Sequence, residues 1–280
     1  ALPMNNNAKK GFDISIPIVA ILIGIVIVFP VIYSFLSAFK TQGEFASYPP
    51  VLFPESFSNL ENFAHVFEKT PILRFMLNSL IVSGIGTIAR IVFALLAAYA
   101  FAYYEFKGKN ILFIIVLATM MLPGDTLIIT NYLTVSRLGL LDNYLGMCIT
   151  SLVGASQMFI LRQHFKTIPK EFREAAQIDG CHNIAFILRV LLPVSRPILI
   201  ILSVQSFVAL WNSYLWPLLV TNKTEMRTVQ VGITMLTTVN DTNYSLIMAA
   251  VAIVLIPSFI LFIMVRRNIV EGISTGALVG

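Results

Sequence analysis

The feature that most limits what this chain can fold into is a series of long stretches almost free of charge. Residues 14–39, 144–161, 198–220 and 246–265 contain no Asp, Glu, Lys or Arg, and residues 75–104 contain only Arg90. An α-helix rises about 1.5 Å per residue, so about twenty such residues match the roughly 30 Å hydrocarbon layer of a bilayer. Every backbone amide in that layer needs an internal partner, which leaves helices and closed barrels. Barrel strands would be about ten residues long with alternating polarity, and these runs are longer and do not alternate. The sequence therefore predicts an all-α membrane protein. Its charged fraction of 12%, beside 57% hydrophobic residues, is about half the roughly 25% usual in soluble domains.

Six spans are expected, at 14–39, 75–104, 111–135, 144–161, 198–220 and 246–265. The third carries Pro123, Gly124 and Asp125 and should be interrupted there. The first is too long for the core of a cleavable leader. An even number of spans puts both termini on one side. Together with the basic turn at Lys107 and the polar stretch 162–197, that side holds twelve Lys and Arg residues; the other holds six, and Arg90 remains inside. Such an excess marks the side of the termini as cytoplasmic. The expected organisation is a cytoplasmic segment 1–13, a six-span domain 14–265 and a cytoplasmic tail 266–280. Loops 40–74 and 221–244 would be external, and 162–197 would be cytoplasmic. The net charge of +5 is then a topology signal and gives no reason to expect nucleic acid.

Little in the chain suits an enzyme. Cys148 and Cys181 form no C-x-x-C pair, and His65, His164 and His182 show no metal-binding spacing. There is no phosphate-binding glycine loop and no nucleophile elbow. No catalytic residue, metal site or cofactor of its own is expected. The informative polar stretch is 169–193. Pro169 suits a first helical turn, and Glu171 its positive end. Phe172, Ala175, Ala176 and Asp179 recur at steps of three and four, which predicts one shallow face. Gly180 is a natural left-handed terminator, and a second periodic run over 184–192 should stop at Pro193.

Glu174-Ala175-Ala176, then Gly180 after three residues and Val190-Leu191-Leu192-Pro193 after nine more, resemble the EAA motif of bacterial ABC importer permeases. Val190 stands where isoleucine is usual. Leu60-Glu61-Asn62-Phe63, Asn78-Ser79-Leu80, the run 97–102, Trp211-Asn212 and Trp216-Pro217-Leu218 are similar to the carbohydrate branch of that family. The tail 272–280 resembles that of the second permease in maltose-type importers, with Val279 in place of the usual lysine.

The resemblance implies a type I permease-like fold of six transmembrane helices, with a cytoplasmic coupling-helix loop between spans 4 and 5. That loop would dock on an ATPase through Glu174, Ala175, Ala176, Asp179, Gly180, Val190, Leu192 and Pro193. The tail would reach the ATPases through Gly276 and Gly280. The implied partners are a homologous second permease subunit in a heterodimer, two ATPase subunits carrying ATP and Mg, and an extracytoplasmic solute-binding protein. The implied solute is a carbohydrate, and the implied location is the bacterial cytoplasmic membrane. In loop 221–244, Thr234, Thr237, Thr238, Asn240, Asp241 and Asn243 would face the binding protein.

Polar residues within spans are candidates for the solute path, because an ionisable group there needs a partner or water. Arg90 lies seventeen residues before Lys107 and Asp125 eighteen after it. Two antiparallel helices leaving one tight turn would bring them to one depth, where they are expected to pair or to share a hydrated cavity. On the fifth span Gln205, Ala209, Asn212 and Trp216 follow helical spacing beside Trp211. Gln205, Trp211 and Asn212 are path candidates, since amides beside an aromatic ring suit a sugar; Trp216 fits the interfacial aromatic belt. Two other readings stay open. One is a permease for a peptide or phosphate importer. The other is half of an ion-coupled secondary transporter, which would want paired carboxylates where the spans offer only Asp125.

Overall fold

The computed structural model describes residues 6–238 and 241–277, with 6–15, 125, 237–242 and 267–277 described by backbone alone. Contacts divide the chain into two units. One comprises the residues up to Thr70 together with Met235–Leu255; the other comprises Pro71–Thr234 and the chain from Ile256 onward.

In the first unit, α1 (Asn6–Ser37) contains an apolar window of which none is buried within this chain. It is followed by α2 (Gln42–Ala46) and α3 (Glu61–Lys69). Thr41 and Glu44 form a reciprocal capping box at the start of α2. From α3, Asn62 Nδ2 donates to the carbonyls of Ala38 and Lys40 at 2.9 and 2.8 Å, which fixes the exit of α1. Lys40, counted above among external charges, is only 1% exposed. Its Nζ donates to the Val51 carbonyl at 2.6 Å and lies over the rings of Tyr33 and Phe45.

The second unit is arranged around α4 (Ile72–Tyr103), which packs mainly on α8 and α12, defined below. One face of α4 carries Asn78, Val82, Gly86, Arg90, Ala94 and Ala98 at four-residue steps, all buried except the half-buried Arg90. Small residues in such a row let helix backbones approach closely in a membrane. Next come α5 (Lys109–Thr119), α6 (Ile128–Arg137), α7 (Tyr144–Cys148) and α8 (Ala155–Thr167). The polar stretch holds α9 (Glu171–Ile178), α10 (Asn183–Phe186) and α11 (Leu192–Val194), with a π-helical turn, Ile187–Leu191, between the last two. Then follow α12 (Arg196–Trp211), α13 (Leu215–Val220) and α14 (Val229–Thr234). A two-residue ribbon pairs Thr237–Thr238 with Asp241–Thr242. Finally α15 (Tyr244–Ala277) begins in the first unit and belongs to the second from Ile256.

Among the described residues three helices are long and apolar enough to cross a membrane: α1 from Ile16, α4, and α15 as far as Arg266. Two bent pairs, Tyr144–Ser151 with Ala155–Thr167 at 50° and Asn183–Val194 with Arg196–Trp211 at 84°, bring the number to five at most. The third run is interrupted as expected: α5 ends at Thr119, and the chain passes Pro123 into a 3-10 turn at Gly124–Leu127 before α6. Two expectations need correction. The fifth run breaks after Trp211, where Asn212 terminates α12, so Asn212 and Trp216 do not share a helix face. The run 184–192 continues past Pro193 to Val194. Proline lacks an N–H and crowds the preceding turn, and the wider π turn before it supplies the room.

Candidate functional site

The polar stretch folds much as its spacing suggests. At the end of α9, Gly180 adopts φ +75°. The amide of Cys181 donates to the Ala176 carbonyl at 2.8 Å, and that of Gly180 to the Gln177 carbonyl at 3.0 Å. These are the two bonds of a Schellman cap, which needs a left-handed residue at this position. The predicted single face is not formed. Ala176 is buried in a cluster with Phe165, Phe186 and Leu191, whereas Ala175, one residue and about 100° away, is exposed. Ala176 therefore anchors α9 to its own chain. Glu174, Ala175, Asp179 and Gly180 stay outward, beside Phe172 and an Ile178 that is 86% exposed. Val190 and Leu192 pack against the same core cluster.

Arg173 was missed by the spacing argument. Its Nη1 donates to the Tyr103 carbonyl at 2.7 Å, and its guanidinium lies 5.4 Å from the ring centres of both Tyr103 and Tyr104. It ties α9 to the end of α4. A lone arginine two residues before an alanine pair gives no warning of this; the tyrosine pair closing a long apolar run was the available signal.

A second constellation lies along α4. Arg90 belongs to the four-residue row running from Val82 and Gly86 to Ala94. Its Nε donates to the Ser151 carbonyl at 2.9 Å. That carbonyl lies at the bend between the two limbs 144–151 and 155–167. Gly154 sits within the same bend, where an added Cβ would run into Arg90 Cγ and Cδ and Gln157 Oε1. The expected pairing with Asp125 lies outside the described residues, since the Asp125 side chain is not among them; no described carboxylate lies within ion-pair reach of Arg90. The break at 120–127 also removes the uniform helical rise on which equal depth depended. Arg90 lines a cavity of about 230 Å³ with Val82, Met147, Thr150, Ser151, Ala209, Leu210, Ser213, Trp216 and Pro217.

The path candidates of the fifth run separate. Trp211 is 3% exposed and stacked on Phe207, with ring centres 5.9 Å apart, so it is a packing residue in this chain. Gln205 and Asn212 are exposed, and Asn212 Oδ1 accepts from Gln230 at 3.3 Å. Trp216 is half-buried, and its Nε1 donates to the carbonyls of Gly146 and Met147 at 3.3 and 3.2 Å, which binds α13 to α7.

Within loop 221–244, residues 222–229 are held by hydrogen bonds from α4 and Asp142. Asn78, wholly buried in α4, donates from Nδ2 to the carbonyls of Glu225 and Arg227 at 2.7 and 2.8 Å and accepts from the Tyr144 hydroxyl at 2.7 Å. Ser79 Oγ accepts from the Val229 amide at 2.9 Å. The Asn78-Ser79 pair thus holds the start of α14. Asp142, at φ 54°, accepts the amides of Asn222 and Lys223 at 2.6 and 2.8 Å. Those amides, Lys223 first, hold its carboxyl below the usual carboxylate range. Thr234 Oγ1 donates back to the Val231 carbonyl, and Asn243 caps α15 by accepting from Leu246. Asn240 and Gly280, and the side chains of Thr237, Thr238, Asp241 and the tail around Gly276, lie outside the described residues.

Apart from the two-residue ribbon the described residues are helical, with several helices apolar enough to cross a membrane and a polar segment that ends in an exposed cap. Residues 90–274 match the family described as binding-protein-dependent transport system inner membrane component. Over 273 residues the chain is 31% identical to an sn-glycerol-3-phosphate transport system permease protein of Yersinia pestis bv. Antiqua, covering 95% of this chain and 97% of that one. An arabinooligosaccharides transport system permease protein of Halalkalibacterium halodurans is 29% identical over 260 residues, covering 92% and 93%. In fold, the chain is similar to one in a crystal structure of a bacterial ABC transporter that imports the acidic polysaccharide alginate, with TM-score 0.81 at 21% identity over 95% of this chain and 99% of that one. The chain belongs to the family of binding-protein-dependent transport system inner membrane components. It is a multi-pass membrane protein whose work is transport, not catalysis of its own.

Proposed function

We propose that this chain is the transmembrane permease subunit of an ATP-driven ABC importer for a carbohydrate or related polyhydroxylated solute. The names of its relatives support a solute of that class: one carries a phosphorylated triol, the other an oligosaccharide. The observation that carries the coupling role is the outward α9 tip. Glu174, Ala175, Asp179 and Gly180 form a surface that the described residues leave uncovered, flanked by the apolar side chains of Phe172, Ile178 and Ile184. Apolar groups exposed on a polar segment indicate a protein partner.

On this reading six spans cross the membrane, with the α5–α6 region as a broken third span. Both termini, the segment 1–13, the loop 162–197 and the tail 266–280 are cytoplasmic; loops 40–74 and 221–244 are external. The coupling helix α9 seats in an ATPase that holds ATP and Mg. A homologous second permease completes a heterodimer with two ATPases, and an extracytoplasmic binding protein delivers the solute to the α14 side. Purification in mild detergent tests this. Co-isolation of an ATPase, and ATP hydrolysis stimulated by a sugar-loaded binding protein, are expected. A stable lone chain without an ATPase overturns the importer, and a binding protein loaded with an amino acid overturns the carbohydrate.

A further inference from the structure

The cavity beside Arg90 is built for more than neutral hydroxyls. Resting on the permease reading, we infer that it is a transit site for a solute bearing an anionic group, a carboxylate or a phosphate ester, alongside hydroxyls.

A guanidinium within a membrane-length helix requires polar partners. Among the described residues, the hydrogen bond from Arg90 Nε to Ser151 is the only one its guanidinium makes, and no carboxylate neutralises it. The donors of the two terminal nitrogens are not used by any described residue. Those donors form a planar fork that matches the two oxygens of a carboxylate or phosphate. Anchoring through Nε, and passage of the stem past Gly154, hold the fork in place before any solute arrives. Such pre-positioning reduces the ordering cost of binding.

The rest of the lining suits a polyol. The side-chain hydroxyls of Thr150 and Ser213, which line the cavity, make no hydrogen bond to the described residues and so are available. Trp216 spends its N–H on α7 and contributes ring surface, which suits the C–H face of a sugar. A volume of about 230 Å³ lies below the roughly 300–1,000 Å³ of drug-sized sites. It suits one small polyol, or one unit of a longer chain. An arginine serving only to cap the Ser151 carbonyl needs neither the cavity nor the free hydroxyls.

The test uses the assembled importer in lipid nanodiscs, with Cys148→Ser and Cys181→Ser as background and Ser213→Cys as reporter. Alkylation of the reporter by a neutral maleimide is timed with millimolar galacturonate or glycerol 3-phosphate, and with galactose or glycerol as neutral counterparts. At least threefold slowing by an acid, with no slowing by the neutral probes, is expected. It should disappear in Arg90→Gln and persist in part in Arg90→Lys, which guards against simple misfolding. Slowing by galacturonate alone assigns a carboxylate, and by glycerol 3-phosphate alone a phosphate. Equal slowing by neutral probes, slowing retained in Arg90→Gln, or none with any probe overturns the site. ATPase co-isolation, measured on the same samples, separates that failure from failure of the importer reading.

Discussion

The end of α9 and the break between α12 and α13 are both interruptions of helix, and they are built in opposite ways. At Gly180 the chain closes the helix with its own backbone and turns its side chains outward. At residues 212–214 it does the reverse: Trp211 is buried on one side, and Trp216 on the other gives its N–H to α7. The first interruption is stable by itself and exposes a surface for others. The second is stable only because neighbouring helices complete it. Substitutions should therefore separate into those that reduce stability and those that reduce partnership.

The largest stability loss is expected at the inward break. Trp211→Ala removes a buried, stacked ring and should cost about 3–5 kcal/mol, read as loss of monodisperse permease on gel filtration and a lowered unfolding temperature. Survival of normal yield would break the contrast. Next comes Asn78→Ala, which strands the carbonyls of Glu225 and Arg227 and the Tyr144 hydroxyl. A loss of about 2 kcal/mol or more is expected, with faster proteolysis within 221–234. Gly180→Ala should cost about 1 kcal/mol through the left-handed backbone alone, because an added Cβ meets nothing within 4 Å. Gly180→Asn should recover part of that loss; if Ala and Asn behave alike, backbone strain is not the cause. Ile178→Ser should change stability by less than about 0.5 kcal/mol while reducing ATPase co-isolation at least tenfold. Unchanged co-isolation would remove the outward tip from the docking surface.

The smallest effect concerns pH. The Asp142 carboxyl is held below its ordinary range by the Lys223 and Asn222 amides. Its contribution is present above the unfolded value and is lost as pH falls through the folded one. Amide-exchange protection of Asn222 and Lys223 should therefore decline on acidification in the native chain. It should be already low and flat in Asp142→Asn.

What the sequence made legible follows the same division. Long apolar runs, the 3.6-residue period and a glycine placed to end a helix are local signals, and α4, α9 and the Gly180 cap follow from them. The buried side of α9 was not legible, because Ala175 and Ala176 are chemically identical and only the core against Phe165 and Phe186 distinguishes them. The break after Trp211 carries no proline or glycine at its start. Asn212-Ser213-Tyr214 looks like any helical stretch until α7 supplies partners for Trp216. Arg90 lay between, since its four-residue row was readable while its carbonyl partner sixty-one positions away was not.

The 84° bend at Ser195, with the widened turn before Pro193 close by, has a mechanical consequence. A rod bent near a right angle turns a push along one limb into a swing of the other. The sixteen residues of α12 measure about 24 Å, so a rotation of only about 10° at the elbow sweeps its far end by about 4 Å. That end is where Trp211 and Asn212 lie. A modest displacement at the α9 tip, carried through this elbow, would be delivered with leverage beside the cavity that contains Arg90.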